Sequence, residues 1–123
     1  MNKFILIVCF CVIISGCGNT TNKVISITRK EVVEYMDDGA VLIDVRTEEE
    51  YDDNHIEGAI NIDVDTILKT ENLLIYNNAE IDKNAKIIVY CRSGARSANA
   101  ANRLIELGYT SVYDFGSIDN WNK

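Results

Sequence analysis

From residue 24 onward, short apolar runs alternate with longer stretches whose apolar positions recur at helical spacing. Val24-Ile25-Ser26-Ile27 predicts a short first strand. Thr28 followed by Glu31 forms a capping box, opening a helix to about Asp38, and Gly39 suits the position just past its end. Val41-Leu42-Ile43-Asp44-Val45 is nearly continuous in apolar character, as a strand buried on both faces of a parallel sheet should be. Thr47 with Glu50 repeats the capping box for a short second helix. Ala59 to Ile62 predicts a third strand. Asp65 to about Asn77, with Ile67, Leu68, Leu73, Leu74 and Tyr76, predicts a helix of imperfect periodicity. Ile87 to Tyr90 is the fourth strand, and Ser97 to Leu107 a helix ended by Gly108. Val112 to Asp114 gives a last strand, and Ile118 to Trp121 one closing turn. The chain has no proline, so loop boundaries are read from Gly, Asn and Asp. Strands alternating with helices predict an α/β fold, a mainly parallel sheet of about five strands with helices on both faces. Such sheets bind ligands beyond the carboxyl ends of their strands, where Asp44 and Cys91 lie.

The first residues follow another pattern. Met1-Asn2-Lys3 is a short positive start, Phe4 to Ile14 an uninterrupted apolar run, and Ser15-Gly16 a small-residue pair suited to cleavage. The segment reads as a secretory signal, its apolar run falling short of the ~20 residues of a comfortable bilayer span. Ile14-Ser15-Gly16-Cys17 resembles the lipobox of bacterial lipoproteins. That resemblance implies cleavage before Cys17 and a diacylglyceryl thioether on its sulfur, two acyl chains making a stable anchor. A signal cut elsewhere and an uncleaved membrane stub are the alternatives. The expected organisation is a signal over 1–16, a lipidated cysteine and tether over 17–23, and a folded domain over 24–123. That domain would sit at the cell membrane on its extracytoplasmic face, periplasmic or extracellular. The tether reaches at most ~20 Å.

This organisation changes what the cysteines mean. Of four, Cys9 and Cys11 would leave with the signal and Cys17 would carry lipid. Cys91 is then the sole thiol of the mature chain, and no intramolecular disulfide can form. Charge narrows the partners. The chain carries 12 basic and 19 acidic residues, net −7. Loss of Lys3 leaves 11 against 19, or −8. Such a surface disfavours nucleic acid, and an anionic substrate would need a local basic feature, which Arg92 and Arg96 provide.

The position of Cys91 supplies candidate chemistry. It ends an apolar strand and heads the loop Arg92-Ser93-Gly94-Ala95-Arg96-Ser97, which opens onto a helix. A thiol there faces backbone N–H groups and the positive end of a helix dipole, so it ionises more readily than a free cysteine. That makes it a candidate nucleophile. The alternative is a buried structural cysteine, against which the two nearby arginines weigh. One His and one committed Cys do not make a metal ligand set, and no cofactor is called for. His55, the only histidine, is a candidate general base by residue type, Asp52-Asp53 reads as a solvated face, and Trp121 as packing.

Asp44-Val45-Arg46, Glu50-Tyr51, His55-Ile56-Glu57-Gly58-Ala59-Ile60-Asn61-Ile62, Cys91-Arg92-Ser93-Gly94-Ala95-Arg96-Ser97 and Gly108 to Asp114 together resemble a single-domain rhodanese. The match runs from about Val24 to Trp121 with its motifs in order. The resemblance implies a sulfurtransferase whose Cys91 carries a persulfide between a small sulfur-containing anion such as thiosulfate and a thiol or cyanide acceptor. In that reading the loop N–H groups from Arg92 to Ser97 cradle sulfur or donor, and Arg92 attracts the donor. Arg96 holds the loop by pairing with Glu50 or Asp44, and Ser97 caps the helix. Asp44, Arg46 and Glu50 brace the loop, and the resemblance makes His55 a structural turn residue rather than a general base. Rhodanese-like phosphatases and arsenate reductases place five residues between Cys and Arg; here there are four, a loop sized for sulfur. A monomer is expected. The alternatives from other classes are a membrane-proximal sulfur-carrier or binding module with little turnover on small donors, and a domain with no chemistry. Asn54 and Glu57 depart from the family's usual Gly and Pro, and Ser117 from the second Gly of a pair. Asn54 is expected to keep the turn by tolerating a left-handed backbone. Ser117 and the chain end at Lys123 affect one pocket wall.

Overall fold

The computed structural model describes residues 23–123; the signal, the lipobox, Cys9, Cys11 and Cys17 lie outside the described residues. Seven strands and four α-helices follow in the order β1 (Ile25–Ser26), α1 (Arg29–Asp37), β2 (Val41–Asp44), α2 (Glu48–Asp53), β3 (Ile60–Asn61), α3 (Val64–Lys69), β4 (Ile75–Tyr76), β5 (Ala79–Glu80), β6 (Lys86–Cys91), α4 (Ala95–Glu106) and β7 (Ser111–Ser117). A 3-10 helix, Ile118–Asn122, closes the chain. Five strands form one parallel sheet in the order β1-β7-β6-β2-β3, and β4 and β5 make a separate antiparallel pair.

The period of two along β2 and β6 sorts their side chains onto two cores. Ile43, Val45, Ile87, Val89 and Cys91 face α3 and α4 together with Ile67, Ala100, Ala101 and Leu104. Leu42, Ile88 and Tyr90 face the other way, toward Val32 of α1, Ile56, Ala59 and Phe115. Burial on both faces explains why β6 reads as a continuous apolar run: Ile87, Ile88 and Val89 are all fully buried, worth roughly 1.5–3 kcal/mol per large side chain. On α4 the buried positions are Ser97, Ala100, Ala101 and Leu104. Small residues on that stripe let the helix lie close to β6, behind the loop it follows.

Both capping boxes form. Thr28 accepts from the Glu31 N–H and Thr47 from the Glu50 N–H, each glutamate returning a carboxylate to the cap residue. The sheet is mainly parallel with helices on both faces, as the alternation predicts. Three elements differ from expectation. The helix over Asp65 to Asn77 stops at Lys69, and β4 and β5 follow as a hairpin turning at Asn77 (φ 50°) and Asn78 (φ 65°). Asparagine tolerates this left-handed backbone, and a two-residue turn of that kind matches strand twist. The last strand runs on to Ser117, with Phe115 bulged opposite the Val89–Tyr90 step of β6, where the pairing passes from Asp114 to Gly116. Finally, α4 begins at Ala95 rather than Ser97. Among the described residues no helix is long and apolar enough to cross a membrane.

Candidate functional site

Cys91 is the last residue of β6, paired with Ser117 of β7 at the carboxyl edge of the sheet. Arg92 and Ser93 then leave the strand, and Gly94 turns the chain into α4 with φ +103°. A side chain at Gly94 would meet no neighbour within 4 Å, so glycine is required there by backbone conformation alone. The turn aims the Gly94 N–H at Cys91 Sγ, 3.0 Å away. Burial pushes the thiol up. Hydrogen bonds from the Ser97 hydroxyl and from the Ser97, Gly94 and Ser93 N–H groups outweigh it, leaving the thiol below its usual value of 9.0. The thiolate is therefore stabilised mainly by loop N–H groups and one hydroxyl, in the manner of an oxyanion site.

Cys91 itself has no exposed surface and packs among Val89, Ala100 and Ala101. The flanking arginines argued against such burial, but they point elsewhere. Arg92 is exposed, and Arg96 turns toward α2. Ser97 also departs from its expected role. Gly94 is the N-cap of α4 and makes no side-chain cap bond. Ser97 lies in the first turn, fully buried, its hydroxyl 3.1 Å from the Gly94 carbonyl and within reach of the Cys91 sulfur, so that its single proton goes to one of the two acceptors at a time.

Of the two carboxylates named for Arg96, Glu50 takes it. The guanidinium donates to both Glu50 oxygens at 2.6 and 3.0 Å, a two-bond fork that straps the start of α4 to α2. The Arg96 guanidinium, with lesser help from the Thr47 N–H and hydroxyl, holds the Glu50 carboxyl down at about 2. Asp44 does not reach the loop. Its carboxylate, fully buried, accepts from the Arg46 backbone N–H at 2.9 Å and from the Arg46 guanidinium at 2.7 Å. Arg46 in turn donates to the Asn54 carbonyl at 2.6 Å. Asp44 therefore braces Arg46, and Arg46 braces the turn after α2. Asn54 is extended (φ −165°), so the left-handed backbone expected there is not used; Gly58 (φ +87°) supplies it instead. Tyr90, its phenol held high mainly by burial, accepts from the Ile56 N–H at 3.1 Å and ties this turn to the sheet.

Ser117 is the residue whose part was not foreseen. Its hydroxyl donates to the Arg92 carbonyl at 2.6 Å and accepts the Asp119 N–H at 3.1 Å, fastening the loop to the closing helix. The only signal in the chain was its departure from the expected glycine. His55 is exposed, stacked on Tyr51 at 3.8 Å with Nδ1 2.8 Å from the Tyr51 carbonyl. Trp121 packs edge-on against Phe115. No group of metal-ligating side chains occurs among the described residues. Beside the loop lies a cavity of about 310 Å³ lined by Arg46, Glu50, Asp53, Asn54, Arg92, Ile118 and Asp119.

Comparison with known proteins agrees with this arrangement. Residues 28–123 match the family model described as a rhodanese-like domain. The thiosulfate sulfurtransferase PspE of Escherichia coli (strain K12) is 38% identical over 62% of this chain and 68% of its own length. The adenylyltransferase and sulfurtransferase UBA4 of Debaryomyces hansenii is 34% identical over 87% of this chain. The chain spans 26% of that protein's length, about a quarter of a larger relative. Among solved structures, the human single-domain sulfurtransferase TSTD1 superposes with a TM-score of 0.68 at 26% identity, covering 80% of this chain and 94% of its own.

Proposed function

The chain belongs to the rhodanese-like domain family and has the build of a rhodanese-type sulfurtransferase, and from that premise we propose that Cys91 carries sulfane sulfur as a persulfide. The observation that carries this reading is the ring of donors around one thiol: the Gly94 N–H at 3.0 Å with the Ser93 and Ser97 N–H groups and the Ser97 hydroxyl. Such a ring favours the thiolate before reaction and the negative outer sulfur after it.

The Cys91 thiolate attacks the outer sulfur of thiosulfate. A new S–S bond forms at Cys91, the bond to the sulfonate sulfur breaks, and its electron pair leaves with sulfite. An acceptor thiolate or cyanide then attacks the outer sulfur of the persulfide, and the Cys91 thiolate departs as it was. Arg92, exposed and without an ion pair among the described residues, is the cation that draws the donor. Arg96 and Glu50 hold the loop, and Asp44 and Arg46 hold the wall behind it.

We further infer that the domain is exported and anchored by lipid on Cys17. The support is the signal-like start and the lipobox resemblance. The tether joins just before β1, at the amino end of a parallel sheet, whereas Cys91 lies at the carboxyl end. The thiol would then face away from the membrane. Intact mass after thiosulfate treatment tests the chemistry: one added sulfur is expected in the wild type and none in Cys91→Ser. Absence of both persulfide and thiocyanate formation with every common sulfane donor refutes it. Membrane partition of the wild type but not of Cys17→Ser tests the anchor.

A further inference from the structure

The sheet reaches the thiol in a shifted register. Val89 of β6 pairs with Asp114 of β7, Tyr90 with Gly116 and Cys91 with Ser117, leaving Phe115 as the extra residue. An unbroken ladder would set Gly116 opposite Cys91, a residue with no side chain. The bulge advances β7 by one position and brings a hydroxyl to the strand end instead. That hydroxyl is itself held: it accepts the Asp119 N–H at 3.1 Å, and its proton goes to the Arg92 carbonyl at 2.6 Å.

Arg92 lies between β6 and α4 and belongs to neither. Its peptide link to Ser93 is therefore fixed by what the two polar ends of that link meet. The link is planar and trans, so the Arg92 carbonyl and the Ser93 N–H point in opposite directions. Ser117 takes the carbonyl on one side, and the N–H on the other is one of the donors to Cys91 Sγ. Rotating ψ of Arg92 against φ of Ser93 would turn the plane over with little movement of the neighbouring residues. A carbonyl oxygen would then face the sulfur where a donor had been, and it would repel a thiolate. The Ser97 hydroxyl cannot make up that loss in full, because the Gly94 carbonyl at 3.1 Å competes for its proton.

We propose that Ser117 is a positioning residue for sulfur transfer: by gripping the Arg92 carbonyl it keeps the Ser93 N–H turned toward Cys91. It acts on the sulfur only through the orientation of one peptide plane. The N–H so held favours the thiolate twice, when Cys91 attacks the donor and when it leaves as the acceptor takes the outer sulfur. The inference rests on the persulfide reading of Cys91 for its part in transfer, whereas its effect on the free thiol stands apart from that reading.

The test compares the full-length wild type with Ser117→Ala, which lacks the hydroxyl, and Ser117→Thr, which keeps one. Alkylation of Cys91 by iodoacetamide is followed against pH, alongside kcat and KM for thiosulfate with cyanide as acceptor. In Ser117→Ala the midpoint of the alkylation profile should move upward, and the rate below it should fall about fivefold, as loss of one hydrogen bond allows. The value of kcat should fall by a similar factor, while KM for thiosulfate, set by Arg92, stays within about twofold. Ser117→Thr should restore both. A residue that merely caps the closing helix would lower the melting temperature and leave the alkylation midpoint in place. The wild type supplies a second reading should Ser117→Ala fail to fold: the Ser93 amide proton, followed by NMR, should titrate together with the Cys91 thiol. An unmoved midpoint in Ser117→Ala, equal shifts in the two variants, or a Ser93 amide that ignores the thiol overturns the proposal. Failure of the wild type to take up sulfur overturns the persulfide reading instead, and the alkylation profile then still judges Ser117.

Discussion

Replacing Glu50 with Gln isolates the strap that holds the loop. Gln can accept the Thr47 N–H as Glu does, so the capping box survives while the charge facing Arg96 is lost. The carboxyl's descent from 4.5 to about 2 sets a ceiling of ~3.4 kcal/mol on the pair. The two side chains are 34% and 28% exposed, and solvent screening lowers the expected contribution to roughly 1 kcal/mol. Because the folded-state value is depressed, this stability is present in full above the unfolded value of 4.5 and is lost as pH falls toward about 2. Urea unfolding should show wild type ahead of Glu50→Gln by about 1 kcal/mol near pH ~7, with more than half of that gap gone by pH ~3. Sulfur loading of Cys91 should slow in the variant, since Arg96 belongs to the first turn of α4 behind the thiol. Equal stability near neutral pH, or a gap that does not change with acidification, refutes the assignment of Glu50 to Arg96.

Ser97→Ala removes the hydroxyl that helps hold the Cys91 thiol down, so the midpoint of the alkylation rate against pH should move upward. Below that midpoint the reaction should slow about tenfold, and an unchanged profile would show that the N–H groups suffice. Asp44→Asn leaves Arg46, only 4% exposed, without its counter-charge; a loss of about 3 kcal/mol is expected in denaturant unfolding, and a loss below ~1 kcal/mol contradicts the buried pair. Asn77→Val forces a β-branched residue to φ 50° and should cost about 1–2 kcal/mol, read as a lower melting temperature. Parity with wild type there would mean that the β4–β5 turn takes another form.

Much of the site was legible because it depends on local chemistry. Thr28 with Glu31 and Thr47 with Glu50 announce helix starts through bonds three residues apart, and both formed. The apolar run before Cys91 announces a central strand, since burial on both faces leaves no polar alternation to find. The short loop after it announces donors for an anion. The missed hairpin has a local reason too: the Asn77-Asn78 pair signalled a turn, but Leu73, Leu74 and Tyr76 fell at spacings a helix could also use. Tyr109 settles that choice by donating to the Ile81 carbonyl and accepting the Leu74 N–H, across sequence separations no local pattern encodes.

What the chain by itself determined was the alternation of strands and helices, the thiol at a strand's carboxyl end, and the presence of two arginines beside it. Which carboxylate takes Arg96 was decided only by tertiary structure. Glu50 and Arg96 are brought within 2.6 Å by the packing of α2 against the loop, across a sequence gap that no spacing rule spans. The same holds for the burial of Cys91, which depends on how closely the small residues Ala100 and Ala101 let α4 approach β6. Composition sets which charges a protein has, but the fold sets which of them find a partner.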